Sequence, residues 1–302
     1  MAVNAEGDAA IVFPVCRDAA CTKVLVYLAV RAAGTSTFRS TRLADGSGPL
    51  PQVAAAINDR GDAMAVWTQA STLYARIRTA GGTLRPRRRV GATVRGQSLA
   101  PSAVLSRHRA AFVGWLAQAV SEGSPSTGEA WVAQSRDGTP FTATRLGAIP
   151  AAGDGHYVSE AGVRVAYGSR GRALVAWTGY ASDRFVVRQG QVRGAANSPS
   201  QQLIGVVTVS QPGVDTVLSD FVVDLSGPAY VLMLAGARGS DSSSPTGRTI
   251  RASGGDEVSG AVGPSAQPRD VVGALLSDGR VLAAWTTLAE GDLFSVRANP
   301  TR

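Results

Sequence analysis

The stretch Asn58-Asp-Arg-Gly61-Asp-Ala-Met-Ala-Val-Trp67 decides the fold class. Asn at the start and Gly at the fourth position suit a type I turn whose last residue is left-handed. The small and apolar residues that follow alternate up to a Trp, as in a strand with a buried face. An apolar lead-in, Val53-Ala-Ala-Ala-Ile57, comes before the turn. With Gly61 and Trp67 as a ruler, the unit recurs at Gly7/Phe13, Arg109/Trp115, Gly171/Trp177, Gly227/Met233 and Gly279/Trp285, always six residues apart.

A strand-rich unit returning every ~50 residues reads as the blade of a β-propeller. In the copy from Pro51 to Gly91, Val53–Ile57 is a first, innermost strand and Met64–Trp67 a second. Leu73–Arg78 is a third, Ala80-Gly81-Gly82 turns the chain, and Leu84–Val90 forms an outer strand. The expected fold is all-β, a six-bladed propeller of four-stranded antiparallel blades in one domain, residues 1–302. Its repeats run approximately 1–48, 49–98, 99–156, 157–209, 210–265 and 266–302, and the last blade lacks its outer strand. Pro51, Pro101, Pro212 and Pro268 mark strand entry. Trp67, Trp115, Trp177 and Trp285, with Phe13 and Met233, are expected to pack between neighbouring blades.

Arg31, Arg78, Arg136, Arg193, Arg251 and Arg297 end the third strand of every repeat. Each is read as a brace for its own turn, through carbonyls or a neighbouring carboxylate, with a ring-shaped anion site as the alternative. Their distance from the Trp position varies between 11 and 21 residues, which puts the variation in the loop between second and third strands. Outer-strand Arg39, Arg42, Arg85 and Arg145 are read as guards against edge-to-edge pairing.

The chain carries 30 Lys and Arg against 22 Asp and Glu, for a net charge of +8, and Lys23 is its one lysine. Arginine is spread over the repeats, and Arg87-Arg88-Arg89 is a short run without interleaved aromatics, so no nucleic-acid partner is expected. Cys16 and Cys21 flank Arg17–Ala20, where a hairpin would bring them face to face. A disulfide there implies an oxidising compartment; the alternative is two free thiols. The first residues have neither a basic nor an apolar region of an export signal, and no apolar run of 18 residues exists to span a membrane. Ala2–Gly7 aligns inside a repeat, which leads to the expectation of an upstream segment supplying an export signal and the last outer strand. The expected location is extracellular or at the cell surface.

The repeats resemble the sialidase-like propeller superfamily, including propeller-repeat proteins of actinobacteria. That family's Asp-box, Ser-x-Asp-x-Gly-x-x-Trp/Phe, sits at the turn between third and fourth strands. Ser135-Arg-Asp137-Gly138-Thr-Pro-Phe141 is the nearest copy, with its Gly one residue early. The resemblance implies a propeller. A sialidase would also bring three arginines for the substrate carboxylate, a Tyr–Glu nucleophile pair, an Asp acid/base and an Arg-Ile-Pro-like signature. Leu84-Arg85-Pro86 does not supply that signature.

Loops between second and third strands, and between blades, share the upper face of a propeller. Candidate ligand-binding residues there are Asp154, His156, Tyr157, Glu160, Tyr180 and Arg184. His108 falls in a first-to-second-strand turn on the opposite face, away from His156. No catalytic set, metal site or cofactor motif is identified. The functional expectation is an exported, non-catalytic binding propeller that meets a glycan or a protein through its upper face. The alternatives are a sialidase-like glycoside hydrolase and a purely structural surface repeat; the oligomeric state is left open.

Overall fold

The computed structural model describes residues 1–47, 50–92, 98–121, 124–149, 162–167, 173–181, 184–194, 201–210, 215–223, 229–236, 243–250, 256–257, 268–275, 281–288 and 294–300. Among these residues there is no helix, and six antiparallel sheets follow one another along the chain. The first holds β1 (Ala2–Val3), β2 (Ala9–Cys16), β3 (Lys23–Arg31) and β4 (Arg39–Ser47). The second holds β5 (Val53–Ile57), β6 (Ala63–Gln69), β7 (Thr72–Arg78) and β8 (Arg88–Ala92). The third holds β9 (Ser98–Leu105), β10 (Ala110–Ser121), β11 (Ser124–Arg136) and β12 (Thr142–Ile149). The fourth holds β13 (Val163–Tyr167), β14 (Ala173–Ala181), β15 (Arg184–Gly194) and β16 (Gln201–Thr208). The fifth holds β17 (Asp215–Val223), β18 (Ala229–Gly236), β19 (Ser243–Ile250) and β20 (Asp256–Glu257). The sixth is three-stranded: β21 (Pro268–Leu275), β22 (Val281–Leu288) and β23 (Phe294–Pro300). Every sheet is paired in chain order, and each first strand touches the first strand of the next sheet, which is how propeller blades stack.

Three details differ from the sequence reading. The outer strand of the second sheet starts at Arg88, because Pro86 has no N–H to give; Leu84 makes only an isolated bridge to Arg78. Pro101 lies inside β9, at a register shift opposite Gly114 and Leu116, instead of at strand entry. Much of the length expected as upper-face loop in the third and fifth repeats is strand. β10 runs to Ser121 and β11 resumes at Ser124, and β19 begins at Ser243. A longer hairpin pairs backbone groups that a loop would leave to water.

Burial is concentrated between sheets. Trp67 is fully buried among Ala10, Val12, Val26, Leu28 and Leu43 of the first sheet. Trp115 packs on Ala56, Met64, Val66, Leu73 and Val90 of the second, and Trp177 on Phe112, Leu116, Ala130 and Ile149 of the third. Removing such a ring from water contributes about 4–6 kcal/mol before chain entropy is counted. Phe13 is only half buried and stacks on Tyr27, with ring centroids 5.7 Å apart, and the Trp285 side chain lies outside the described residues. Fit against the preceding outer strand is tight. A Cβ on Gly91 would lie 2.5 Å from Cζ2 of Trp115, so any larger residue must push a buried ring.

In the first three sheets, the turns between first and second strands are tied together by asparagine. Asn58 is buried, and its Oδ1 accepts from the amides of Arg60 and Asp62, both at 3.0 Å. Its Nδ2 donates to Asp62 Oδ2 at 3.2 Å and to the Ser106 carbonyl of the third sheet at 2.8 Å. Asn4 repeats this geometry. It donates to Asp8 Oδ2 and to the Asn58 carbonyl, both at 2.8 Å, and accepts from the Asp8 amide at 2.8 Å. Asp8 Oδ1 accepts from Ala33 N at 2.7 Å and Asp62 Oδ1 from Ala80 N at 2.9 Å, which binds the adjacent third-to-fourth-strand turns. Gly61 closes its turn at φ 78°, a left-handed conformation that costs glycine little. In the third sheet Arg109 takes that place at φ 58°, and its guanidinium lies 2.7 Å from Asp137 and 3.9 Å from Asp62. Arg31 donates from Nη2 to the Gly7 carbonyl at 3.2 Å, so it ties the β1–β2 turn and not, as expected, its own turn after β3.

The inner strands, first or second, of neighbouring sheets are linked as well. Val165 N donates to Ser102 Oγ, Leu218 N to Thr178 Oγ1 and Gly273 N to Asp220 Oδ2, at 3.0, 3.0 and 2.8 Å. At the opposite end of the first sheet, Cys16 and Cys21 form a disulfide, with Cα atoms 4.8 Å apart. Inside that loop Asp18 accepts from Thr22 N at 2.7 Å and Thr22 Oγ1 at 2.6 Å.

Asn58→Ala strips the Ser106 carbonyl and the Arg60 and Asp62 amides of a buried partner, and is expected to cost about 2–3 kcal/mol in urea unfolding. Asn58→Asp should not rescue it, because it removes the donor and sets an anion against Asp62. In the disulfide loop, the Thr22 hydroxyl and amide hold the Asp18 carboxyl below its ordinary 3.8. A depressed carboxylate favours the ordered loop above the unfolded-state pKa, and that preference is lost as pH falls through the folded-state value. An NMR titration of the Thr22 amide should therefore show a midpoint below 3.8.

Candidate functional site

Of the residues expected to bind a ligand, Asp154, His156, Tyr157 and Glu160 lie outside the described residues. Tyr180 and Arg184 both lie at the end of the β14–β15 hairpin but on opposite faces, since Tyr180 pairs with Phe185 and Ala181 with Arg184. The Tyr180 ring stands edge-on to Phe185, with centroids 5.6 Å apart, so its apolar body is committed to packing; Arg184 is exposed. His108 is exposed in the β9–β10 turn, on the face of the asparagine-linked turns. Among the described residues no three His, Cys, Asp or Glu side chains converge as a metal site would require.

The described residues instead assemble a repeated row at the outer half of the blades. Antiparallel register sets Phe13 opposite Tyr27 and Tyr27 opposite Arg42. It sets Trp67 opposite Tyr74 and Tyr74 opposite Arg89. It sets Trp115 opposite Trp131 and Trp131 opposite Arg145. Directly opposed side chains share a sheet face, so each of three sheets carries aromatic, aromatic and arginine from the core outward. The inner ring is wedged against the preceding sheet in the second and third sheets, while Tyr27, Tyr74 and Trp131 are all half-buried.

The row of the third sheet is the most elaborate. Trp131 stacks on the buried Trp115, centroids 6.1 Å apart and planes 13° from parallel. Its Nε1 donates to Glu129 Oε2 at 3.2 Å, and Glu129 Oε1 pairs with Arg145 Nη2 at 2.8 Å. The Arg145 side chain is 51% exposed and that of Glu129 29%, so the polar edge of the cluster is open to water. Two alternate residues drive this arrangement: Glu129 and Trp131 are two apart on β11, hence on one face, and Arg145 is directly opposite Trp131. The result is an aromatic platform with a carboxylate acceptor and a guanidinium donor at its edge. Such a set can pack the C–H face of a sugar while bonding its hydroxyls.

The second sheet varies the theme. Arg87 lies over Tyr74, its guanidinium carbon 4.5 Å from the ring centroid, and Nη1 donates to Gln69 Oε1 at 3.2 Å. A cleft of about 10 Å³ lined by Trp67, Thr68, Gln69 and Gly46 runs beside it, room for little more than one water.

The Asp-box-like stretch is a turn between third and fourth strands, as the resemblance implies, and its polar groups are spent on structure. Ser135 Oγ donates to the Thr139 carbonyl at 2.6 Å, Asp137 pairs with Arg109, and the Gly138 carbonyl accepts from Arg88 Nε at 2.7 Å. Sequence reasoning missed the aromatic row because Arg42 and Arg145 were read as edge guards. The signal was an aromatic four or five residues before the strand-ending arginine, at Tyr27, Tyr74 and Trp131.

No protein-family profile and no curated protein matches the chain. Solved structures resemble it in fold. A protein of unknown function from Dyadobacter fermentans superposes with a TM-score of 0.53 at 13% identity, over 83% of this chain and 79% of its own. A protein from Lactobacillus plantarum gives 0.51 at 12% identity, over 99% and 84%. An α-L-arabinanase of Penicillium chrysogenum, solved with arabinobiose, gives 0.48 at 13% identity, over 81% and 77%. At such identities the likeness concerns fold alone. It agrees with a β-propeller and does not extend to the sialidase-like branch that Ser135–Phe141 suggested.

Proposed function

We propose that this protein is an exported, non-catalytic binding module: a six-bladed propeller in one domain, residues 1–302, whose ligand is a glycan. The Trp131–Glu129–Arg145 cluster carries this reading. A half-buried aromatic ring flanked by one donor and one acceptor is the chemistry of sugar recognition, in which a few polar groups orient a ligand held mainly by apolar contact. Glu129 and Arg145 neutralise each other, so the sugar that fits is neutral. The disulfide supports an oxidising, extracellular setting. Against the glycoside hydrolase alternative, hydrolysis uses two carboxyls at a set separation. The cluster offers one carboxylate, with both oxygens already engaged by Trp131 and Arg145.

The test is a screen of neutral oligosaccharides, followed by calorimetry on Trp131→Ala and Glu129→Gln. Loss of the stacking ring should weaken binding by about tenfold or more, with Glu129→Gln intermediate. An unchanged affinity in Trp131→Ala would refute the site. Binding of no neutral sugar at all would return the cluster to a role in bracing the bulge between Ala130 and Trp131.

A further inference from the structure

We propose that the outer seam between the first and second sheets is a separate site for an acidic polysaccharide, gripped by Arg76, Arg87 and Arg89. The inference stands apart from the neutral-sugar reading, since it uses other residues and opposite electrostatics.

Arg76, Arg87 and Arg89 share the side of the second sheet that looks toward the first. Arg89 is opposite Tyr74 in register, Arg76 is two residues from Tyr74 on β7, and the Arg87 guanidinium rests on the Tyr74 ring. What distinguishes them is the nature of their partners. Arg76 Nε donates to the Arg85 carbonyl at 2.8 Å and Nη1 to the Leu43 carbonyl at 3.4 Å. Arg87 donates to the Gln69 amide oxygen, and Gln69 is itself fixed by donating to the Asp45 carbonyl at 3.1 Å. Neutral acceptors orient a guanidinium without cancelling its charge. Among the described residues, the carboxylate beside Gln69 is directed at another arginine: Asp45 pairs with Arg42 at 3.4 Å. Arg87 and Arg89 are both exposed. The seam therefore presents preorganised positive charge, with Arg87 and Arg89 two residues apart at and just before the start of β8, a backbone spacing of about 7 Å. A chain bearing regularly spaced carboxylates complements it, and planar guanidinium matches carboxylate in two-pronged fashion.

A nucleic acid is also a polyanion, but single strands are held by bases stacking on free aromatic faces. Tyr74 has none to offer: Arg87 covers one side, and Trp67 stacks against the ring with centroids 6.0 Å apart. The disulfide-stabilised first sheet fits the extracellular setting where acidic polysaccharides occur.

The experiment measures binding of polygalacturonate at low salt, with neutral dextran and single-stranded DNA as comparison ligands. Arg87→Gln/Arg89→Gln is set against Arg60→Gln/Arg107→Gln, which removes the same charge from two exposed turn positions. The seam double variant should lose on the order of tenfold in affinity and show a shallower salt dependence. The turn double variant should bind as the parent does, with melting temperatures of both unchanged. Equal loss in the two would mean diffuse attraction to net charge and would overturn the site; no loss in either would do the same. DNA binding tighter than polygalacturonate, and lost in the seam variant, would overturn the ligand class. Trp131→Ala should leave polygalacturonate binding intact, which separates failure here from failure of the neutral-sugar site.

Discussion

A buried primary amide must place two N–H groups and its oxygen lone pairs, and in this protein that demand joins one sheet to the next. Asn58 satisfies its own turn with Oδ1 and spends one N–H on the following sheet, while its carbonyl receives the equivalent bond from Asn4. Each link reaches about one repeat along the chain, so the local chemistry of a tight turn becomes long-range order. Leaving any member unpaired would cost about 1–3 kcal/mol, roughly twice what the bond returns when made. Register at this face is thus specified by polar groups, and the apolar packing of Trp67, Trp115 and Trp177 follows from it.

That packing in turn positions the surface chemistry. Each buried Trp is pressed against the outer strand of the preceding sheet, closely enough that Gly91 admits no side chain. The second aromatic in the row, Tyr74 or Trp131, is then held half-buried at the mouth of the seam, with arginine beyond it. One scaffold yields two electrostatic outcomes. In the third sheet Glu129 cancels Arg145, and in the second sheet Gln69 and carbonyl oxygens orient the arginines while leaving their charge. Rigid rows of this kind suit recognition, because the aromatic and the guanidinium lose little freedom when a ligand arrives.

Much of the architecture was legible because turns and anchors leave dense local signals. Asn58, Gly61 and Trp67 mark the unit, and Trp115 and Trp177 repeat its burial. The Cys16–Cys21 disulfide was legible from spacing on a hairpin. Strand ends were not: whether Ser121 and Ser124 belong to a loop or a ladder depends on pairing with the rest of the hairpin, which propensity does not encode. Pro86 and Pro101 show the same limit, one delaying a strand and the other sitting within it at a shift of register. The aromatic row escaped notice for another reason. Trp131 and Arg145 are 14 residues apart, and only strand pairing makes them neighbours.

Turn-to-turn hydrogen bonds and Trp packing make neighbouring sheets one cooperative unit. Native-state hydrogen exchange tests it most directly, by comparing the amides of β6 and β10 across low concentrations of denaturant. The two strands are expected to converge on one opening free energy with one dependence on denaturant. Separate opening energies, with the second sheet unfolding while the third stays protected, would contradict it.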